Sequence, residues 1–157
     1  MNRRTLLIGA ATVPLAGCLD FGEGGGSGLP SSGQPDLLDE RGEIEIVIDG
    51  SEFNLSQDRF QAEHSQNHSL DFHLHEFDDY WYMEGIERVT VAEGVDLLPY
   101  VEYTQENDSR RLVIDETEYD DRESDTEITF FVEDDEVDPT EYELKDGDEV
   151  RVEITTE

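Results

Sequence analysis

Short alternating runs of β-branched, aromatic and charged residues, each closed by a pair of turn formers, fill this chain from residue 43 onward. Ile44-Glu45-Ile46-Val47-Ile48 ends at Asp49-Gly50, and Phe53 and Leu55 continue on the return side. Residues two apart share one face of a strand, and an Asp-Gly pair tolerates the positive φ of a tight reversal, so the pattern predicts a hairpin. Leu70 to Phe77 and Tyr80 to Glu84 flank Asp78-Asp79 in the same way. Arg111 to Asp115 with Thr117 to Tyr119, and Ile128 to Glu133 with Glu136-Val137, predict a third and a fourth hairpin. A last strand runs from Glu149 to Ile154 after Asp146-Gly147-Asp148.

Three of the turns read alike: Ile48-Asp49-Gly50-Ser51-Glu52-Phe53, Ile114-Asp115-Glu116-Thr117-Glu118-Tyr119 and Val132-Glu133-Asp134-Asp135-Glu136-Val137. A common turn chemistry accounts for this more simply than duplication does. One helix is expected. Thr90-Val91-Ala92-Glu93 has the spacing of a capping box, Val91, Val95 and Leu98 recur on one face, and Pro99 stops the run. The expected fold class is therefore α+β: a β-rich single domain of several hairpins with one short helix, over residues 43–157, a length that suits one core.

The first residues follow a different logic. Arg3 and Arg4 precede an apolar run from Leu6 to Leu15, and Leu15-Ala16-Gly17-Cys18 follows. The run is far shorter than the ~20 residues a membrane-spanning helix needs. A positive start, a short apolar region and small residues before a cysteine mark an export signal over residues 1–17. The ending resembles the lipobox of lipoproteins, which implies lipid attachment at Cys18, and the arginine pair resembles the twin-arginine export motif. Residues 18–42, with Gly22 to Gly28, Pro30, Ser31, Ser32, Gly33 and Pro35, read as the lipidated cysteine and a flexible tether. The expected location is the cell surface, at the outer face of the cytoplasmic membrane. As Cys18 is the sole cysteine, a disulfide or a thiolate site within the domain is not expected.

Charge sharpens the setting. The chain has 42 acidic residues against 10 basic ones; removing residues 1–17 takes away two arginines and no acid, leaving 42 against 8. Such self-repulsion is relieved by salt, whose screening length is ~3 Å at 1 M. The acid excess, the single lysine (Lys145) and the twin-arginine lipobox together resemble exported proteins of extremely halophilic archaea. Without a basic patch to neutralise phosphates, a nucleic-acid partner is not expected, and the membrane is reached through the lipid alone. A surface protein or a transporter is the partner class that fits this address.

Arg88-Val89-Thr90-Val91-Ala92-Glu93, then Val95 and Leu97-Leu98, resembles the strand-to-helix step of β-grasp domains of the small sulfur-carrier type. Val132 to Pro139, followed by Leu144-Lys145-Asp146-Gly147-Asp148-Glu149-Val150, is similar to the end of those domains. The carriers finish in Gly-Gly, whereas Ile154-Thr155-Thr156-Glu157 stands here, so the resemblance implies the fold and not sulfur-carrier chemistry. The Gln57–Ser69 segment and the hairpin at 111–119 would then be insertions.

All four histidines, His64, His68, His73 and His75, fall within twelve residues. In Phe72-His73-Leu74-His75 both rings leave one face of a strand. With Asp78-Asp79 as a two-residue turn, Tyr82 stands opposite His75 and Glu84 opposite His73. That face then holds Asp71, His73, His75, Tyr82 and Glu84, while Phe72, Leu74, Trp81 and Met83 form the core face. Two imidazoles and a carboxylate suit a divalent metal such as zinc, copper or nickel, with His73, His75 and Glu84 as ligands. His64 and His68 would add ligands if their segment were helical. An exposed polar strand face also carries histidines without any ligand role. The stretch further resembles a small group of exported haloarchaeal proteins with His-x-His before Trp-His-x-His; here the second part reads Trp81-Tyr82-Met83-Glu84, so the histidines that would complete that site are lost, which counts against a metal in this chain.

No nucleophile, base and oxyanion donors converge, and with so many acids a carboxylate pair singles out nothing, so an enzyme is not expected. Asn54, Asn67 and Asn107 each begin an Asn-x-Ser sequon beside a predicted turn, as glycosylation at a cell surface requires. The leading functional expectation is a lipid-anchored extracytoplasmic binding or interaction module built on the hairpin from His73 to Glu84. The alternative is a surface lipoprotein that captures a divalent metal there.

Overall fold

Gly42, Ile44 and Ile46 alternate with charged neighbours and are buried, so the first strand, β1 (Glu40–Ile48), presents one face to a core and the other to water. It belongs to a computed structural model that describes residues 36–76 and 78–157; the export signal with Arg3 and Arg4, Cys18 and the tether as far as residue 35 lie outside the described residues. A tight turn leads to β2 (Ser51–Glu52), then to two 3-10 turns at Asp58–Phe60 and Ala62–His64. Next come β3 (His73–Leu74), β4 (Tyr80–Met83) and the helix α1 (Val91–Leu97). β5 (Val101–Glu106), β6 (Ser109–Ile114) and β7 (Thr117–Asp120) precede β8 (Thr126–Val132), β9 (Asp135–Glu136) and β10 (Glu149–Thr156). The domain is thus β-rich with one short helix.

The main sheet has the order β3-β4-β1-β10-β8-β9, with β2 also paired to β1. At its centre β1 and β10 run parallel, in register from Glu43 opposite Glu149 to Ile48 opposite Ile154. Its other pairings are antiparallel. A second antiparallel sheet holds β5, β6 and β7. Ile46, Trp81, Phe130 and Val152 are wholly buried from the main sheet, and Leu112 from the second, in one cluster with Val91 and Val95 of α1. The capping box is formed: the Thr90 hydroxyl accepts from Glu93 N–H at 3.2 Å, and the Glu93 carboxylate accepts from Thr90 N–H at 2.8 Å.

The three similar turns share one geometry. Asp49 and Gly50, Asp115 and Glu116, and Glu133 and Asp134 all have positive φ at both central positions, and the flanking residues pair directly. That is the type I′ reversal whose twist matches hairpin strands. Five of the six positions are acids, Gly50 being the exception, and these carry the left-handed backbone that side chains adopt at a cost.

Several expectations are corrected. Residues 40–42, read as the end of the tether, belong to β1, because Glu40, Arg41 and Gly42 pair with Met83, Tyr82 and Trp81. The return strand β2 stops at Glu52, before Phe53 and Leu55. β5 lies in a stretch that lacks the β-branched run of the other strands, yet Val101, Tyr103 and Gln105 alternate inward and pair with β6. The expected 111–119 hairpin is therefore the second half of a three-stranded sheet.

Tyr103 links that sheet to the main core, its ring edge-on to Phe130 with centres 5.2 Å apart. Burial pushes its hydroxyl up to about 12, against an ordinary value of 10, although Arg110 nearby pulls the other way. The folded state keeps a proton that the unfolded chain loses, so Tyr103 stabilises fully below pH 10 and that contribution falls as pH rises from 10 toward 12. Denaturant titrations across this window are expected to show a steeper alkaline loss for the wild type than for Tyr103→Phe; equal slopes would contradict the assignment.

Candidate metal centre

The hairpin of β3 and β4 places the residues. His73 pairs with Tyr82 and Leu74 with Trp81, two positions away from the expected register, because residues 75–79 all lie between the two strands. A shift by two preserves every face, whereas a shift by one would invert them. Phe72, Leu74, Trp81 and Met83 accordingly are buried as the core face, and His73, His75, Tyr82 and Glu84 gather on the other. Asp71, also expected there, stays outside the group and lies close to Ser69 and Gly85.

The ligand atoms of His73, His75 and Glu84 all lie within 4.8 Å of one another. His73 Nε2 is 3.2 Å from His75 Nε2 and 3.6 Å from Glu84 Oε2. Bonds of ~2.0 Å to a tetrahedral zinc put neighbouring ligand atoms about 3.3 Å apart, so two of the three edges already have the size of such a shell. His73 is only 2% exposed, whereas His75 and Glu84 are open to solvent on one side. The site thus has a buried floor and an accessible mouth.

Glu63 is the residue that sequence reasoning missed. Its Oε1 lies 2.6 Å from His75 Nδ1, and its Oε2 accepts from Glu76 N–H at 3.2 Å. Burial raises its pKa somewhat, but the hydrogen bond from His75, its own backbone N–H and that of Glu76 outweigh this and leave the carboxyl below its ordinary range. An ionised Glu63 holds the proton of His75 on Nδ1, which leaves a lone pair on the inward Nε2. A carboxylate behind a histidine in this way orients metal-binding imidazoles and raises their basicity. Backbone pairing places it: Gln61 bridges Leu74 in parallel, which sets Glu63 beside Glu76, and no sequence pattern announces that contact.

His73 carries a second clue. Its Nδ1 is buried without a hydrogen-bond partner that meets ordinary geometry. Burial, then the charge of His75, hold its pKa below the ordinary histidine value, against the pull of Glu84. The ring is therefore neutral at neutral pH, as a metal ligand must be. The sign for stability follows: below about pH 6.5 the unfolded chain binds a proton that folded His73 resists, so this contribution to stability is lost as pH falls.

The other two histidines separate. Ala62–His64 is a 3-10 turn and the chain is extended at Ser65, so His64 and His68 do not share a helix face. His64 pairs instead with Glu76, a bond that raises its pKa. His68 stays near the centre, its ring 5.6 Å from that of His73, with Nδ1 3.3 Å from the Ser65 carbonyl. Asn54, Asn67 and Asn107 are all exposed, Asn54 with its side-chain oxygen accepting from Ser56 N–H and hydroxyl. No family model, curated protein or solved structure matches this chain.

Proposed function

We propose that this chain is a lipid-anchored, extracytoplasmic module that binds a divalent metal ion through His73, His75 and Glu84. The observation that carries the reading is the 3.2 Å approach of the two imidazole Nε2 atoms, with Glu63 behind His75 keeping the lone pair of that ring aimed inward. The mixed imidazole and carboxylate set suits zinc or copper(II). The twin arginine, the Leu-Ala-Gly-Cys sequence and the acid excess support export, lipid attachment at Cys18 and a salt-rich exterior. Asn54, Asn67 and Asn107 are offered as glycosylation sites on the same grounds.

The scaffold proposed is β-grasp-like. Parallel first and last strands at the sheet centre, an antiparallel strand outside each and a single helix in the shared core support it. On this reading β2, the 3-10 turns and the β5-β6-β7 sheet are additions. A second functional reading, docking of a surface protein or transporter, draws support from exposed Leu37, Leu70 and Ile86, which line one groove.

Calorimetric titration of the full chain with zinc in molar potassium chloride tests the metal reading, and the absence of saturable heat would sink it. Glu63→Gln keeps the hydrogen-bond geometry but removes the charge behind His75. It is expected to weaken zinc affinity about 10–100-fold, whereas unchanged affinity would show that Glu63 does not support the ligand.

A further inference from the structure

Three donors leave a tetrahedral ion one corner short. We propose that His68 is the fourth ligand and closes the site around the ion, an inference that rests on the reading of His73, His75 and Glu84 as ligands. Two imidazoles bound through Nε2 to one tetrahedral ion, with bonds of ~2.0 Å, have ring centres about 5 Å apart. The centres of His73 and His75 are 4.8 Å apart and those of His68 and His73 are 5.6 Å apart. The first pair matches this spacing and the second exceeds it, so His68 must swing inward to bind.

Its protonation is suited to the task. A backbone carbonyl only accepts, so the 3.3 Å approach of Nδ1 to the Ser65 oxygen places the proton on Nδ1 and the lone pair on Nε2. This is the arrangement that Glu63 gives His75 on the opposite side. His68 is exposed and lies in the segment between the second 3-10 turn and β3, so reorienting its ring gives up the Ser65 contact but disturbs no core packing. The Nδ1 of His73 lies on the far side of the ring from His75 and Glu84, which its Nε2 faces. With Nε2 bound to a metal, Nδ1 must carry the proton and can donate toward the Ser69 carbonyl, whose influence on the ring is already felt.

Closure has a chemical consequence. Four protein ligands leave no position for water or substrate, so the centre holds an ion rather than activating water for hydrolysis. Capture also orders residues 65–69, since one of their side chains becomes part of the shell.

Loading the full chain with copper(II) in molar potassium chloride and counting coordinated imidazoles by electron spin-echo modulation tests this. The wild type is expected to show three imidazoles and His68→Ala two, with zinc affinity of the variant lower by about tenfold or more. His68→Gln is expected to match His68→Ala, and His64→Ala to match the wild type. Thermal unfolding without metal checks that each variant is folded. An unchanged imidazole count and affinity in His68→Ala and His68→Gln would overturn the fourth ligand while leaving the three-ligand site standing. A wild type that binds neither ion would overturn both.

Discussion

Alanine at both His73 and His75 is expected to abolish zinc binding while leaving the metal-free domain folded. The two imidazoles supply the shortest edge of the proposed shell, and what remains, Glu84 and the exposed His68, cannot surround an ion. Stability without metal should move little, because two effects oppose one another. Truncating buried His73 removes packing, but it also removes an Nδ1 whose unpartnered burial costs about 1–3 kcal/mol. The readout is the melting temperature with and without zinc. At a free zinc concentration of 100 times Kd, a ligand that binds only the folded state stabilises by about 2.7 kcal/mol. The wild type should show that increment and the double variant none. Equal zinc-dependent shifts in both proteins would place any metal elsewhere.

Trp81→Ala is expected to cost about 3–5 kcal/mol, the range for truncating a large aromatic in a core. Against a typical total of about 5–15 kcal/mol this leaves a marginal domain. Trp81 is wholly buried, stacks on Phe72 with ring centres 5.7 Å apart, and packs where Gly42 has no side chain. Its indole N–H donates at 3.2 Å to the Asp148 carbonyl, the same oxygen that accepts from Glu43 N–H at 3.1 Å. The ring therefore ties the β3-β4 hairpin to the junction of β1 and β10. Denaturant unfolding of Trp81→Ala should show the loss, and Trp81→Phe should show a smaller one. A midpoint within error of the wild type would refute this role. Since Trp81 and His73 belong to one hairpin, Trp81→Ala should also weaken zinc binding, through loss of folded protein rather than of a ligand.

Much of this architecture was legible in the residues, and for a definable reason. Alternation reports parity, and parity alone decides which side chains face the core, so Phe72, Leu74, Trp81 and Met83 and the opposed His73, His75 and Glu84 could be assigned with the register two positions out. The turn at Asp49-Gly50 and the Thr90–Glu93 capping box were equally readable, because each is a local bargain between a few consecutive backbone groups. β5 was missed because Val101-Glu102-Tyr103-Thr104-Gln105 alternates without β-branched density, and its inward face is defined only by Phe130 and Leu112.

What the sequence by itself determined, then, is local: strand faces, turns, the helix cap, and a cluster of histidines with a carboxylate two strand positions beyond Tyr82. What only the tertiary structure decided is which distant groups meet. The parallel pairing of β1 with β10 joins residues about a hundred positions apart, and the bridge from Gln61 to Leu74 brings Glu63 behind His75. Neither contact leaves a periodic trace, because each depends on where a whole segment is laid down by the burial of its neighbours. Position in the chain supplied the histidines; packing supplied the carboxylate that orients one of them and the burial that keeps another neutral.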